Sequence, residues 1–248
     1  MLSKAYLYPF SIIYYIIFVC TLILFHIIQV FCYKLLGYTA HKIAVDWLNF
    51  FLMRCLNLLG TRFYLSNPHI MPSEGPMIIV SNHQSTYDIP PIIWFFRKYH
   101  PKFISKESLG AGIPSVSYNL RHGGSVLINR KNPQSALIKI KSFAQQVQKK
   151  QWAAVIFPEG TRSRDGQPKK FYSNGLITLF DQIPDATVVA LSINNSWRLA
   201  QYRYFPIPMG ISLNLSVEGV LKCSDYAPKE LSKKVEGLIL QGVQTAKT

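Results

Sequence analysis

His83 and Asp88 stand five residues apart in Ser81-Asn82-His83-Gln84-Ser85-Thr86-Tyr87-Asp88. At that spacing the chain can fold back so that the carboxylate holds one ring nitrogen. The other nitrogen is then free to take a proton from a hydroxyl. This is the chemistry of a serine–histidine–aspartate site with the serine removed and a substrate alcohol in its place. The pair by itself fits equally well with Asp88 as a helix N-cap and His83 as an ordinary turn residue. The surrounding chain has to decide between them.

Two further stretches carry polar groups suited to a phosphate. In Phe157-Pro158-Glu159-Gly160-Thr161-Arg162-Ser163, Gly160 allows close backbone approach and Arg162 offers a planar fork of donors. Thr161 and Ser163 add hydroxyls. In Gly123-Gly124-Ser125-Val126-Leu127-Ile128-Asn129-Arg130 a glycine pair leads into a buried strand, and Arg130 stands where that strand ends.

The elements that must position these residues follow from periodicity. From Thr61 onward, apolar runs of strand length alternate with helical stretches. The expected strands are Phe63–Leu65, Met77–Val80, Lys102–Ser105, Ser125–Ile128, Trp152–Phe157, Thr187–Ile193 and Ile211–Val217. The expected helices are Ile89–Tyr99, Glu107–Leu120, Pro133–Lys149, Ser173–Gln182 and Pro228–Ala246. This alternation predicts an α/β fold with a mostly parallel central sheet covered by helices. In such a sheet His83, Arg130 and the Glu159–Arg162 loop all emerge at the carboxyl edge, where α/β folds bind ligands. A base and two arginines at one edge suit an alcohol that also carries a phosphate.

The amino-terminal 60 residues read differently. No residue from Ala5 to Tyr33 is charged, and Ile12 to Phe31 is long and apolar enough to cross a hydrocarbon core of about 30 Å as a helix. It is too long for a signal peptide and lacks a small-residue cleavage site. Gly37 and Thr39 interrupt it. A second segment, His41 to Leu59, carries Lys42, Asp46, Asn49 and Asn57 on one helical stripe, with Trp47, Leu48, Phe51, Cys55 and Leu58 opposite. Together these predict a two-helix hairpin, residues 1–60, anchoring a catalytic domain of residues 61–248 to one leaflet of a membrane.

Composition narrows the partners. The 248 residues are 49% hydrophobic and carry a formal charge of +15, from 27 Lys+Arg against 12 Asp+Glu. Such a chain meets anions: nucleic acid, anionic head groups or phosphorylated substrates. The apolar amino terminus favours the membrane surface, and no nucleic-acid motif is present. The four cysteines form neither a metal spacing nor a disulfide framework, and no other ligands cluster with His83 and Asp88, so no metal is expected.

These blocks, in this order, resemble the lysophosphatidic acid acyltransferases (1-acylglycerol-3-phosphate O-acyltransferases) of the glycerolipid acyltransferase superfamily. Asn82 to Asp88 is similar to the first block of that family, including the Asn-His-Gln-Ser form. Phe157 to Ser163 matches the third, and Gly124 to Arg130 the second, with Leu-Ile-Asn-Arg where Phe-Ile-Asp-Arg is usual. Lys106-Glu107-Ser108-Leu109 and Ile113-Pro114 resemble the intervening segment. The fourth block departs, with Val188-Val189 followed by Ala190 where a proline is usual. The resemblance spans roughly residues 60–220.

The resemblance implies that His83 deprotonates the sn-2 hydroxyl of a lysophosphatidic acid, which attacks an acyl thioester while Asp88 orients the imidazole. It implies substrate contacts at Ser85, Lys106, Arg130, Glu159, Gly160, Thr161 and Arg162, with Glu159 holding an arginine or the loop because a carboxylate beside a phosphate repels it. It implies no cofactor beyond the co-substrate, an acyl-CoA or acyl-ACP, and a place on the bacterial inner membrane facing the cytosol. An acceptor without a phosphomonoester, such as a lysophospholipid or lyso-ornithine lipid, makes the arginines less critical. A catalytically silent membrane-binding protein has no use for His83, Asp88, Glu159 and Arg162 together.

Overall fold

The computed structural model describes residues 4–68, 71–72 and 74–243. Seven strands form its sheet: β1 (Arg62–Ser66), β2 (Met77–Ser81), β3 (Pro101–Lys106), β4 (Val126–Ile128), β5 (Ala153–Ile156), β6 (Thr187–Asn194) and β7 (Ser212–Lys222). Their order is β1-β7-β6-β2-β5-β3-β4. The five strands from β6 to β4 run parallel, and β2, between β5 and β6, is the central strand of the seven. β7 is antiparallel to β6 and parallel to β1. The expected mostly parallel sheet is therefore present.

Alternation along each strand sends side chains to two different cores. Ile78, Val80, Ala154, Ile156 and Val188 meet helices α5 (Pro133–Lys150), α6 (Ser173–Gln182) and α7 (Pro228–Gly242) through Phe143, Leu176 and Val235. Met77, Ile79, Val155 and Leu191 face the other way. They meet Tyr14, Val45, Leu56 and Ile92 from helices α1 (Leu7–Phe31), α2 (Gly37–Asn57) and α3 (Ile89–Phe95).

Helices α1 and α2 form the expected hairpin. Thr21 meets Cys55 (Oγ1–Sγ 3.7 Å), Phe25 meets Phe51 (5.6 Å between ring centroids) and Tyr33 meets His41 (5.5 Å), a pairing that falls in one helix as it rises in the other. A wide π-helical turn at Cys32–Leu36 and Gly37, at φ 82°, reverse the direction. By length and composition the stretch Leu7–Asn57 is apolar enough to cross a membrane, and little of its most apolar part is buried.

The α2 stripe faces inward. Asp46 and Asn49 are buried, with Lys42 ion-paired to Asp46 at 2.5 Å and Asn49 Nδ2 donating to the Val45 carbonyl. Ile43, Trp47, Phe51 and Leu58 face outward at 43–54% exposure. The rest of the buried side is apolar too, with Val45, Leu48, Leu52, Cys55 and Leu56, so α2 is apolar on both faces, unlike a helix with one side in water. The outward face is a run of exposed apolar side chains.

Several boundaries differ from those the sequence predicts. The expected helix Glu107–Leu120 is a 3-10 turn at Glu107–Gly110, followed by α4 (Val116–His122). Gly112, at φ +87°, and Pro114 break it between. Helix α3 stops at Phe95 and a 3-10 turn continues over Arg97–Tyr99. The last helix ends at Gly242 among the described residues, and residues 244–246 of its expected range lie outside them.

Candidate active site

Strand β2 delivers His83. Its five residues are buried, and Asn82 continues its pairing with β6 through a side chain instead of a backbone. Asn82 Oδ1 accepts from Ile193 N at 2.7 Å, and Asn82 Nδ2 donates to the Ile193 carbonyl at 2.9 Å. With both amide groups matched to one residue of the neighbouring strand, the turn beyond leaves the sheet from a fixed point.

Within that turn Asp88 gathers the chain around itself. Its Oδ2 lies 2.7 Å from His83 Nδ1 and accepts Gln84 N at 2.7 Å and Ser85 N at 3.0 Å. Its Oδ1 accepts the Ser196 hydroxyl. Asp88 is completely buried, so a carboxylate here needs all of these donors. Ser85 Oγ accepts Tyr87 N at 3.1 Å and caps the short 3-10 turn Thr86–Asp88, with Asp88 closing the box. One carboxylate thus serves the turn as a cap and the imidazole as a partner.

With Nδ1 on the carboxylate, Nε2 is the nitrogen left for chemistry. The imidazole stacks on Phe157, 4.1 Å between centroids and 15° between planes. That contact sets the ring plane, while the Asp88 bond sets its rotation.

The loop after β5 grips the backbone of His83 from both sides. His83 N donates to Glu159 Oε1 at 2.9 Å, and the His83 carbonyl accepts Ser163 N at 2.8 Å. Glu159 Oε2 accepts Lys169 N at 3.0 Å. Glu159 is 1% exposed and holds the loop; among the described residues no arginine meets its carboxylate. Burial raises its carboxyl above the ordinary carboxylate range, against the opposing pull of the His83 and Lys169 N–H groups.

Gly160 has φ +64°, a conformation that favours glycine. Its N–H donates to the Phe157 carbonyl at 3.0 Å, and its own carbonyl accepts Arg130 Nη1. Arg162 Nη1 donates to Tyr204 Oη at 2.8 Å, and Lys169 Nζ donates to the Arg162 carbonyl at 3.0 Å. His83 thus joins Asp88 and Glu159 directly, Arg130 joins Gly160, and Arg162 is tied in through Tyr204 and Lys169. Lys106 ends β3 beside Ile128 of β4, two residues before Arg130, and is exposed at the same edge, as is Thr161. Ser85, expected at the substrate, is buried instead and faces Ser196 Oγ at 2.7 Å.

Two residues with no signal in the sequence enter the site. Ser196 follows β6 and closes the network on Asp88 and Ser85; only the β6–β2 adjacency brings it there. Tyr204 lies in the loop between β6 and β7 and reaches Arg162.

The model of the Acyltransferase family matches residues 62–194, more than half of the chain. The chain belongs to that family. Among its relatives, the 1-acyl-sn-glycerol-3-phosphate acyltransferase of Cocos nucifera is 29% identical over 165 residues, covering 66% of this chain and 52% of that protein. The Borreliella burgdorferi protein of the same name is 26% identical over 209 residues, 81% of each chain. The chain spans about half the length of the Cocos and Limnanthes relatives, 54% of the Limnanthes douglasii protein, and about a quarter of the chloroplastic Brassica napus protein, at 26%. The crystal structure of PlsC from Thermotoga maritima, a 1-acyl-sn-glycerophosphate acyltransferase, superposes with a TM-score of 0.78 at 22% identity, over 95% of this chain and 93% of that one. The likeness shows the fold. The family match begins at β1 and ends at the last residue of β6, so it holds every block residue of the site, while Ser196 and Tyr204 lie beyond it.

Proposed function

We propose that the protein transfers an acyl chain from an acyl thioester to the sn-2 hydroxyl of 1-acylglycerol-3-phosphate, giving phosphatidic acid for phospholipid synthesis. The observation that carries this reading is the His83–Asp88 pair, 2.7 Å apart, on a turn that the Glu159 loop clamps. His83 Nε2 takes the sn-2 proton as the oxygen attacks the thioester carbonyl. The tetrahedral intermediate then expels the thiolate, the C–S bond breaks, and the imidazolium returns its proton to sulfur. Asp88 stays ionised throughout and stabilises the imidazolium. Among the donors near the carbonyl, the Gly160 N–H is engaged with Phe157, so we assign oxyanion stabilisation to the Thr161 and Arg162 amides.

Arg162, Arg130 and Lys106 bind the acceptor phosphate, and Thr161 lines the same edge. The donor is acyl carrier protein or coenzyme A, both anionic and suited to a +15 chain. The outward apolar face of α1 and α2 beds in one leaflet and receives the lysolipid laterally, on the cytosolic side of a bacterial inner membrane.

The test is transfer from a labelled acyl thioester to 1-acylglycerol-3-phosphate in detergent micelles, with wild type and His83→Ala in parallel. Product from wild type and a loss of about a hundredfold or more in the variant are expected. A variant as active as wild type sinks the mechanism, and no product from either donor sinks the choice of acceptor.

A further inference from the structure

The first turns of α1 reach past the apolar face into the site itself. After β6 the chain makes a 3-10 turn, Ser196–Ala200, and then loops back to β7. In that loop Arg203 and Tyr204 both have left-handed backbone, at φ 53° and 71°. Two successive non-glycine residues in that region persist only where their surroundings over-determine them. Helix α1 provides those surroundings. Tyr15 Oη donates to the Tyr204 carbonyl at 2.5 Å, and Ser11 Oγ accepts Ile207 N at 2.9 Å. The Tyr8 ring meets Phe205 edge-on at 5.5 Å. Positions 8, 11 and 15 step by three and four along a single helical face.

The side chain of Tyr204 turns the other way, toward the catalytic turn. Its hydroxyl accepts Arg162 Nη1 at 2.8 Å and lies 3.5 Å from the Thr86 N–H, and its ring lies 5.8 Å from that of Tyr87. A phenol has one proton to donate and two lone pairs to accept with. The two N–H groups address the lone pairs. Among the described residues no hydrogen bond uses the O–H.

We propose that Tyr204 is an acceptor-recognition residue: it orients the Arg162 guanidinium, donates its own O–H to the same phosphate, and is held for both tasks by the Tyr8–Ser11–Tyr15 face of α1. This rests on the acyl-transfer reading above. It makes the membrane helix part of the head-group site. A lysolipid that lacks the phosphate has nothing for this arrangement to grip.

The experiment compares wild type, Tyr204→Phe, Tyr15→Phe and the double variant in detergent micelles. Calorimetric binding of 1-acylglycerol-3-phosphate and of phosphate-free 1-acylglycerol is measured beside steady-state transfer. Tyr204→Phe keeps the ring on Tyr87 and removes only the hydroxyl, so binding and KM for the phosphorylated acceptor weaken about tenfold. Its kcat stays within about threefold of wild type, KM for the acyl thioester does not move, and 1-acylglycerol binds as before. Tyr15→Phe shows a smaller loss of the same kind, and its effect shrinks in the Tyr204→Phe background to the part that reports its separate hydrogen bond with Tyr87. The proposal is overturned if Tyr204→Phe binds the phosphorylated lysolipid as wild type does. It is equally overturned if kcat falls with KM unmoved, if KM rises for both substrates together, or if wild type binds the two lysolipids alike. A wild type that binds the phosphate selectively yet forms no product refutes the transferase reading, while the binding comparison still decides Tyr204.

Discussion

Asp88→Asn separates charge from geometry at this site. Oδ2 of Asp88 serves two backbone N–H groups and the His83 ring, whereas Oδ1 meets one hydroxyl. An asparagine must therefore place its carbonyl at Oδ2, which keeps Gln84, Ser85 and the His83 tautomer satisfied. Its NH2 then faces Ser196 Oγ, and that hydroxyl can turn to accept. Only the negative charge is lost. Hydrogen bonds to charged groups contribute about 1.5–3 kcal/mol, and a charge pair at 4 Å in an effective dielectric of 20 contributes about 4 kcal/mol. The imidazolium forms only as the reaction proceeds, so the loss falls on kcat: about 2–4 kcal/mol, or about 30- to 1000-fold. Steady-state transfer and thermal unfolding, measured on the same detergent preparation, decide the matter. Asp88→Asn lowers kcat with KM and the melting midpoint little changed. Asp88→Ala orphans two buried N–H groups and lowers both kcat and the midpoint. A kcat within about fivefold of wild type in a folded Asp88→Asn protein refutes the role given to the carboxylate.

Glu159→Gln is expected to fail as a conservative replacement. Each Glu159 oxygen accepts one backbone N–H, so the glutamine NH2 must oppose either His83 or Lys169. Transfer activity falls about tenfold or more, at a stability cost of about 1–3 kcal/mol read by urea unfolding. Lys102→Met removes a buried ammonium that burial first, and Lys42 and Lys150 next, lower from 10.5 to about 7, with Asp46 opposing. Between those values the unfolded chain binds more protons, so wild-type stability rises with pH across this window and levels off below its lower end. Melting midpoints at about pH 7 and pH 9 therefore differ in wild type and converge in Lys102→Met. Gly166→Ala introduces a Cβ that overlaps Trp197 Nε1 at φ +81°, and Trp197 N donates to Gln84 Oε1 beside the catalytic turn. Strain of about 1–3 kcal/mol at such a position lowers the midpoint and the activity together; an unchanged midpoint refutes the packing argument.

The parts of the site legible in the sequence are those in which chemistry and chain position coincide. His83 and Asp88 share one turn, so their spacing alone allows the contact. Arg130 and the Glu159–Arg162 loop end strands of a parallel sheet, and periodicity is enough to send strand ends to one edge. Asn82 gives no sign of its own role, because the residue it binds, Ile193, lies on a strand whose adjacency depends on sheet order. Ser196 and Tyr204 are invisible for the same reason. Periodicity also finds the polar stripe on α2 without saying which way it faces. An amphipathic helix separates two media and does not name them; on α2, Trp47 and Phe51 face out while Asp46 and Asn49 are buried. Gly112 and Pro114 do announce a break, but the apolar residues on either side of them carry the helical period across it.

The shared core of hairpin and sheet bears on the order in which the molecule is made. Residues of α1 and α2 are made before β1 and the strands that follow it, and their outward face is apolar from the start. Their inward face has no partner until β2, β5 and β6 arrive with Met77, Val155 and Leu191. The sheet edge waits longer still, since among the described residues β1 pairs with β7 alone, Arg62 against Ser212. A nascent chain therefore carries a cleft of Asp46, Asn49 and uncovered leucines through most of its synthesis, awaiting the sheet. On the reading proposed above, synthesis away from a membrane would leave both faces of the hairpin open together, and a bilayer would act as a folding partner before it acted as a source of substrate.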